Sequence, residues 1–229
     1  MSAPSNLEML TYYEERASEY DEVYLGKGPA MLGYARQYIN DVAHISRLVA
    51  GFGNGQLIDI ACGPGFWAPH YARNAERITF LDQSEKVLVE CRKRITALHL
   101  SAVPQFICGN FFNTPLEPSA YGCALAGFLL SHLTRDEEER FFRRLKEILK
   151  PQAELMIIDS LWNEERRKHR NKEGLEERTL NDGRRFKVYK RYLAESEFRE
   201  MLEQRRFSIR QLYVGDVFIA ARAEGADNE

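Results

Sequence analysis

Asp59-Ile60-Ala61-Cys62-Gly63-Pro64-Gly65-Phe66-Trp67-Ala68 continues a short apolar run that begins at residue 56. An apolar run of this length predicts a buried strand, and the small residues after it predict a loop that leads into a helix near Phe66. Gly63 and Gly65 allow backbone N–H groups to approach a ligand closely at the N-terminus of that helix. A tight strand-to-helix turn without a ligand would use the same glycines, so the surrounding sequence has to separate the two interpretations.

Strand-like and helix-like segments alternate on the carboxyl side of this loop. The predicted strands are residues 56–61, 78–81, 105–108, 124–126 and 154–159. The predicted helices are residues 84–98, with Ser84 at the N-cap, and a segment that follows a capping box of Thr134 and Glu137 and stops at Pro151. Such alternation predicts an α/β fold with a doubly wound, Rossmann-like parallel sheet.

The two ends of the chain differ from this central part. Helical spacing predicts helices over residues 7–20 and 31–49, and Asn181-Asp182-Gly183 predicts a hairpin between residues 177–180 and 185–189. A helix over 195–204 and antiparallel strands over 207–214 and 217–221 should complete the sheet. We therefore expect one domain over 1–229, with a helical cap (1–55), a cofactor-binding core (56–160), a substrate-side insertion (161–192) and closing elements (193–229).

Two carboxylates narrow the choice of ligand. The spacing Gly63-x-Gly65-x-x-Ala68 satisfies the dinucleotide fingerprint, which keeps a nicotinamide or flavin enzyme in view. Asp59, however, would face a pyrophosphate unfavourably and suits an ammonium or a sulfonium, both of which S-adenosylmethionine carries. Asp82 ends the next predicted strand, where a carboxylate can accept hydrogen bonds from both ribose hydroxyls of an adenosine.

The order of these motifs resembles that of the class I S-adenosylmethionine-dependent methyltransferases. The resemblance rests on residues 12–21, 57–65, 80–84, 109–111, 127–132 and 149–159. It implies a seven-stranded sheet with an antiparallel last strand and S-adenosylmethionine as cofactor. The cofactor contacts that it implies are Tyr13, Arg16, Tyr20, Asp59, Ala61, Gly63, Gly65, Asp82, Gln83, Asn110, Phe111 and Phe128. Ala61 replaces a usual glycine, Asn110 a usual aspartate, and Gln152-Ala153 a usual pair of glycines.

Particular roles follow for some of these positions. Asn110 and Phe111 should lie at the adenine, and Arg16 should pair with the methionyl carboxylate. Tyr13 and Tyr20 should close around the sulfonium from a lid formed by the first helix. His132 follows the fourth strand and is the candidate catalytic base or substrate contact. Core packing for the tyrosines, and a backbone hydrogen bond that holds the loop for His132, are the structural alternatives.

Composition limits the class of acceptor. The chain has 32 Lys and Arg against 34 Asp and Glu, a formal charge of -2, which argues against bulk binding to nucleic acid or an anionic membrane. Residues 164–178 predict a solvated helix and loop. The basic and aromatic residues of 184–192 fit either a patch for an acidic substrate or RNA, or the exposed face of a hairpin. No histidine or cysteine spacing indicates a metal site, and the four cysteines are expected to be free, buried thiols.

The sequence thus predicts methyl transfer from S-adenosylmethionine to an oxygen or nitrogen of a small-molecule acceptor. No apolar run is long enough to span a bilayer and no secretory signal is recognisable, so the expected location is the cytoplasm. The alternatives are a methyltransferase acting on RNA or protein, a cofactor-binding module without turnover, and a nicotinamide oxidoreductase. The oligomeric state is not predicted.

Overall fold

Seven strands form the central sheet of the computed structural model, which describes residues 6–27 and 35–226. They are β1 (Gln56–Ile60), β2 (Arg77–Asp82), β3 (Val103–Cys108), β4 (Tyr121–Gly127), β5 (Leu149–Ser160), β8 (Phe207–Val214) and β9 (Phe218–Gly225). Their order is β3-β2-β1-β4-β5-β9-β8. Strands β1 to β5 pair in parallel, and β9 runs antiparallel to β5 and β8. The predicted doubly wound sheet with an antiparallel last strand is confirmed.

The helices are α1 (Asn6–Glu15), α2 (Ala35–Ala50), α3 (Ala68–Tyr71), α4 (Glu85–Ala97), α5 (Arg135–Ile148), α6 (Glu164–Arg167) and α7 (Glu195–Gln204). The predicted first helix is shorter than expected, because the chain tightens after Glu15 into a 3₁₀ helix, Ala17–Val23, which we call the lid helix. The predicted helix near Phe66 begins at Ala68 instead, with Pro69 in its first turn, where a missing N–H costs nothing. Residues 31–34 of the second predicted helix lie outside the described residues.

The ends of the central helices follow the predicted capping chemistry. The Ser84 hydroxyl accepts the N–H of Val87 at the start of α4. At α5, Thr134 and Glu137 form the capping box, each side chain accepting the backbone N–H of the other residue. The helix ends at Ile148, and β5 begins at Leu149, earlier than the predicted strand over 154–159. Pro151 therefore lies within the first part of β5, where the pairing with β4 is irregular.

Apolar side chains cover both faces of the sheet. On one face, Phe141 of α5 and Phe198 of α7 pack on alternate residues of β1 and β5. On the other, Ile45 of α2, Tyr71 of α3 and Leu88 of α4 pack on the remaining strand positions. Because both faces are covered by helices, the open place for a ligand is the edge where the parallel strands end.

Two segments far apart in sequence, α1 and a hairpin, cover the edge at the carboxyl ends of the strands, and we call them the roof. Strands β6 (Glu173–Thr179) and β7 (Arg185–Arg191) pair as an antiparallel hairpin separate from the main sheet. Helix α1 packs on this hairpin through a small cluster that contains Tyr12, Leu180 and Val188. In addition, the Glu8 carboxylate accepts the backbone N–H of Lys187 at 2.7 Å. The roof therefore joins the N-terminal helix to the predicted substrate-side insertion.

Two further observations concern membrane-spanning helices and the cysteines. Within residues 6–27 and 35–226, no helix is both long and apolar enough to cross a bilayer. The four cysteines are all free, as predicted, but Cys108 is exposed rather than buried. Its strand, β3, is the edge strand of the sheet, so only one neighbour covers it.

Candidate active site

Two adjoining cavities open at the carboxyl edge of the sheet. The sheet-edge cavity, of about 140 Å³, runs along the ends of β1, β2 and β4 and past the residues that follow β3. The cationic cavity, of about 240 Å³, lies between the lid helix, the roof hairpin and α6. Four residues line both cavities, namely Tyr13, Tyr20, Phe128 and His132. A ligand in one cavity would therefore meet a ligand in the other at these four side chains.

Asp82 lines the sheet-edge cavity. One carboxylate oxygen accepts the Gly63 N–H at 3.0 Å, and the other accepts the Ser84 N–H at 3.0 Å. Burial raises the pKa of this carboxyl group, and the backbone N–H donors act in the opposite direction. Each oxygen keeps a second lone pair, so Asp82 can still accept from two ligand hydroxyls. The backbone thus orients the acid for the role predicted for it.

The predicted adenine end of this cavity is formed by residues that follow β2 and β3, namely Gln83, Asn110 and Phe111. Ala61, which follows β1, also lines the cavity. The side-chain oxygen of Asn110 accepts the Phe112 N–H at 2.8 Å, and its amide nitrogen donates to Gln83 at 3.1 Å. The Asn110 amide is therefore fixed in orientation, and its oxygen has one lone pair left for an exocyclic amine.

The glycine loop supports the cavity without lining it. Gly63 and Gly65 have φ values of +56° and +70°, a region that residues with a Cβ rarely adopt. A Cβ on Gly65 would lie 2.9 Å from the Cys91 sulfur. The N–H of Gly63 is directed to Asp82 rather than to the cavity. In the described structure these glycines thus bring the loop close to α4 and hold Asp82.

Asp59 has a different partner from the predicted one. Its side chain is buried, lines neither cavity, and accepts the Tyr71 hydroxyl at 2.5 Å. Burial raises the pKa of Asp59 to about 7, the hydrogen bond from Tyr71 lowers it, and the Asp82 carboxylate adds to the rise. The sequence could not show this, because Tyr71 reaches Asp59 only after α3 has packed on β1.

Tyr13 and His132 form a hydrogen-bonded pair where the two cavities meet. The Tyr13 hydroxyl lies 2.7 Å from Nε2 of His132, and Nδ1 of His132 lies 2.8 Å from the Tyr189 carbonyl oxygen. A carbonyl only accepts, so Nδ1 carries the proton and the Tyr13 hydroxyl donates to Nε2. Burial and the charges of Lys190, Arg178 and Arg16 hold the pKa of His132 well below its usual range, although the bond to Tyr189 opposes them. His132 is neutral at pH 7.

Arg16 lies between α1 and the lid helix and lines the cationic cavity, not the sheet-edge cavity. It donates to the Tyr12 hydroxyl at 2.9 Å, and its guanidinium lies 5.3 Å from the ring centre of Tyr20. No carboxylate of the described residues forms an ion pair with it. Its remaining donors are available to an anionic group beside Tyr20.

Four further cations line the cationic cavity, and no sequence prediction assigned this role to the three that lie outside residues 184–192. They are Arg166, Arg170, Arg178 and Lys190. Residues 164–178 were expected to be a solvated helix and loop, which is wrong for Arg166, Arg170 and Arg178. Residues 173–179 form β6, whose pairing with β7 folds them over the sheet edge. One indication in the sequence was the alternation of faces along a strand. Glu176 and Arg178, two residues apart, share one face of β6, and Lys190 and Tyr192 have the same spacing.

The predicted basic patch of residues 184–192 does not form one surface. Lys190 and Arg191 are buried, and Arg191 pairs with Glu138 of α5. The exposed Arg184 pairs with Glu15 and Asp182, and Arg185 pairs with Glu177. Strand β7 therefore places one of its cations, Lys190, in the lining of the cavity, and the outer Arg184 and Arg185 lie beside acidic residues.

Asp41 of α2 is another site-shaping residue that the sequence analysis did not single out. One of its oxygens accepts the N–H groups of Val217 and Phe218, each at 2.8 Å, and the other accepts the Tyr213 hydroxyl at 2.9 Å. Val217 and Phe218 line the cationic cavity. Asp41 therefore fixes the cavity wall that the turn between β8 and β9 supplies.

Residues 57–152 match the family model described as "Methyltransferase domain". This part of the chain is a methyltransferase domain. The matched range begins in β1 and ends within β5, so it contains Asp82, Asn110 and His132. The predicted methyltransferase family is confirmed for this part of the chain. Within the described residues no group of three or more His, Cys, Asp or Glu side chains is placed to hold a metal ion.

Solved structures with this fold are similar to the chain over nearly its whole length. A DhpI–SAH complex superposes with a TM-score of 0.74 at 24% identity, covering 96% of this chain and 97% of that one. A DhpI–SAM–HEP complex gives the same TM-score and identity over 97% and 99% of the two chains. The [4+2]-cyclase SpnF superposes with a TM-score of 0.66 at 17% identity over 96% and 97%. One of these proteins is a cyclase, so the shared fold does not by itself define the reaction.

Curated relatives are more distant in sequence. The carboxy-S-adenosyl-L-methionine synthase of Shewanella halifaxensis (strain HAW-EB4) is 22% identical over 173 residues, which are 72% of this chain and 70% of that protein. The corresponding enzyme of Glaesserella parasuis serovar 5 (strain SH0165) is 23% identical over 134 residues, 56% of this chain. The match spans only 55% of the length of that second relative.

Proposed function

We propose that this protein transfers the methyl group of S-adenosylmethionine to an oxygen or nitrogen of a small-molecule acceptor. The cofactor is assigned to the sheet-edge cavity and the acceptor to the cationic cavity. The observation that carries the proposal is the junction of the two cavities at Tyr13, Tyr20, Phe128 and His132. Methyl transfer from a sulfonium is an in-line displacement, which needs two reactants aligned end to end, and positioning supplies most of its acceleration.

The residues of the sheet-edge cavity fit the adenosine part of S-adenosylmethionine. The Asp82 carboxylate, oriented by two backbone N–H groups, suits the ribose hydroxyls. Asn110 has a fixed amide for the adenine amino group, and Phe111 supplies an apolar wall beside it. When bound, S-adenosylmethionine supplies a methyl group on a positively charged sulfur. The Tyr13 and Tyr20 rings, 5.8 Å apart, offer aromatic faces to that charge.

Arg16 is assigned to the methionyl carboxylate. Its guanidinium packs against Tyr20, which borders both cavities, and its fork of donors matches a carboxylate.

Tyr13 and His132 provide a route for the proton that a hydroxyl acceptor has to lose. The acceptor proton moves to the Tyr13 oxygen while the Tyr13 proton moves to Nε2 of His132. The new carbon–oxygen bond forms as the carbon–sulfur bond breaks, and the electron pair of the latter stays on sulfur. His132 suits this role because it is neutral at pH 7 and its Nε2 already accepts from Tyr13. An amine acceptor that reacts as the free base loses a proton only after the methyl group has been transferred, so it needs this proton route only then.

The position of the cationic cavity, between the lid helix, the roof hairpin and α6, supports a small molecule over RNA or protein. The buried Lys190 lines this cavity, whereas the exposed Arg184 and Arg185 have acidic partners. Such a hairpin offers no continuous basic groove to a nucleic-acid backbone.

A second candidate is formation of a carboxylated cofactor, since two relatives are carboxy-S-adenosyl-L-methionine synthases. The cations beside the junction favour it, because they suit a carboxylate close to the cofactor sulfur. Incubation with methyl-labelled S-adenosylmethionine, a set of candidate acceptors and a carboxylic acid that can release carbon dioxide, followed by mass analysis of the cofactor product, separates the two. The carboxylic acid supplies the carboxyl group that would replace a proton of the methyl group. S-adenosylhomocysteine with a labelled acceptor supports methyl transfer, and a heavier, carboxylated cofactor contradicts it.

Binding and turnover test the proposal together. Calorimetry should show saturable binding of S-adenosylhomocysteine, and thermal unfolding should shift upward with S-adenosylmethionine but not with NADH. A screen of small alcohols and amines with the labelled donor should identify an acceptor. The His132→Ala protein should then bind S-adenosylhomocysteine as the parent does and lose turnover. Stabilisation by NADH alone would overturn the cofactor assignment, and binding without turnover on any acceptor would leave a module that only binds the cofactor.

A further inference from the structure

The lining of the cationic cavity is richer in cations than in acids. It contains Arg16, Arg166, Arg170, Arg178 and Lys190, against two acids, Glu165 and Asp216. Two more acids stand behind the lining, where Glu176 pairs with Arg178 at 2.8 Å and lies 3.7 Å from Arg170, and Asp159 lies 3.9 Å from Lys190. With Arg16 assigned to the cofactor carboxylate, the other four cations equal these four acids in number, and His132 is neutral.

Burial makes these cations costly for the protein alone. The side chains of Lys190 and Arg178 are only 6% and 15% exposed. Moving a cation out of water is unfavourable unless an anion compensates it. Lys190 donates to the Ser131 hydroxyl at 2.5 Å, a neutral partner, and the carboxylate of Asp159, 3.9 Å away, is beyond hydrogen-bond distance. A buried cluster of this kind suits a site that binds an anionic ligand.

Arg166 is the member of the cluster with donors to spare. It forms no ion pair with any carboxylate of the described residues. Its guanidinium lies 4.4 Å from the ring centre of Tyr192 and donates to the Val217 carbonyl at 2.7 Å. These contacts hold the planar group in one orientation, and other N–H donors of its fork stay available for an oxyanion.

We propose that the acceptor is a small molecule with an oxyanion group, a carboxylate or a phosphoryl group, held by Arg166 together with Arg178 and Lys190. This inference rests on the proposed function and names the substrate class of the same site. Lys190 bonds to Ser131, the neighbour in sequence of His132, so the anion site and the proton route lie side by side. An acceptor that spans them is short, in keeping with a cavity of about 240 Å³.

The test measures anion binding when the cofactor site is already filled. Sulfate and acetate are titrated into protein saturated with S-adenosylhomocysteine, at constant ionic strength, with calorimetry as the readout. The Arg166→Met protein is compared with Arg167→Met, a matched control on the same short helix whose side chain is exposed and lines neither cavity. We expect saturable binding by the parent and by Arg167→Met, and a weakening of about tenfold or more in Arg166→Met. Arg166→Lys should recover part of the loss, because it keeps the charge but not the fork.

Failure of the anion site and failure of the proposed function give different results. If S-adenosylhomocysteine does not bind, the proposed function fails first. If it binds and neither anion does, or if Arg166→Met and Arg167→Met behave alike, the acceptor is not held by this cluster. Anion binding that disappears once S-adenosylhomocysteine is present would mean that the cations hold the cofactor carboxylate, which also overturns the inference. Preference for sulfate points to a phosphoryl acceptor, and preference for acetate to a carboxylate.

Discussion

The Tyr13 hydroxyl donates to Nε2 of His132 across 2.7 Å, and this hydrogen bond joins the N-terminal helix to the loop after the fourth strand. The Tyr189 carbonyl fixes the ring from the opposite side. Three segments far apart in sequence thus set the tautomer of one histidine at the point where two cavities meet. The bond to Tyr189 is the backbone hydrogen bond of the structural alternative, and the bond to Tyr13 adds a side-chain partner at the junction of the cavities.

The hydroxyl of Tyr13 is expected to matter for turnover and not for folding. Tyr13→Phe keeps the ring and removes the donor to His132, so turnover on a hydroxyl acceptor should fall roughly 100-fold while S-adenosylhomocysteine affinity changes little. Tyr121→Phe removes another buried hydroxyl, one that contacts Thr79 and lines neither cavity, and serves as the control. Steady-state kinetics with both proteins checks this; equal turnover in Tyr13→Phe would exclude the proposed proton route.

Asp82 should govern affinity for the cofactor. Asp82→Ala removes the acceptors assigned to two ribose hydroxyls, and hydrogen bonds to a charged group contribute about 1.5–3 kcal/mol each. We expect S-adenosylhomocysteine affinity to fall at least tenfold, measured by calorimetry. Asp182→Asn, an exposed change on the roof hairpin, is the control and should bind as the parent does. Unchanged affinity in Asp82→Ala would place the ribose elsewhere.

Gly65 should be a position where a single methyl group destabilises the fold. Gly65→Ala forces φ +70° on a residue with a Cβ and brings that atom 2.9 Å from the Cys91 sulfur. Gly55→Ala is the matched control, with φ +46° and nothing within 4 Å of the added atom. The left-handed backbone should cost each variant about 1–2 kcal/mol, and the contact should add about 1–3 kcal/mol at Gly65 alone. Urea unfolding measures both, and equal losses would mean that Cys91 moves aside freely.

Lys190 should make anion binding depend on pH. Burial lowers the pKa of Lys190 to about 8, Asp159 and Glu176 act to raise it, and Arg178 and Arg166 lower it further. The charged form attracts an anion, so sulfate affinity should be full below pH 8 and weaken as the pH rises through that value. Sulfate keeps its charge over this range, and calorimetry at several pH values follows the change. Lys190→Arg stays charged throughout and should abolish the pH dependence; a parent protein with flat affinity would contradict the prediction.

Much of the fold was predictable because its signals are local. The period of apolar residues, the Ser84 cap and the Thr134 capping box each depend on residues a few positions apart, and both caps were confirmed. The position of Asp82 was predictable for a similar reason, since it ends a strand in a fold whose parallel strands present their ends to a ligand.

The acceptor side was not predictable, because its residues meet only through tertiary packing. Arg166, Arg178 and Lys190 come from a short helix and two strands of a hairpin, and their sequence surroundings are those of ordinary solvated segments. Asp41 occurs in an amphipathic helix, and only the β8–β9 turn gives its carboxylate three backbone N–H partners. The spacing of apolar residues along a helix does not indicate such backbone N–H partners.

Asp59 offers a test of folding that is independent of any ligand. Burial raises its pKa to about 7 from a model-peptide value of 3.8, so the folded state binds more protons than the unfolded state between about pH 4 and pH 7. The free energy of unfolding should therefore fall as the pH rises through this window, by at most about 4 kcal/mol at roughly 1.4 kcal/mol per pKa unit. Asp59→Asn does not titrate and should lack this fall, while its amide oxygen still accepts the Tyr71 hydroxyl. Urea unfolding at several pH values compares the two proteins, with Asp182→Asn as an exposed control. If the parent and Asp59→Asn follow the same pH profile, Asp59 titrates near its ordinary value and its carboxylate reaches water or a cation.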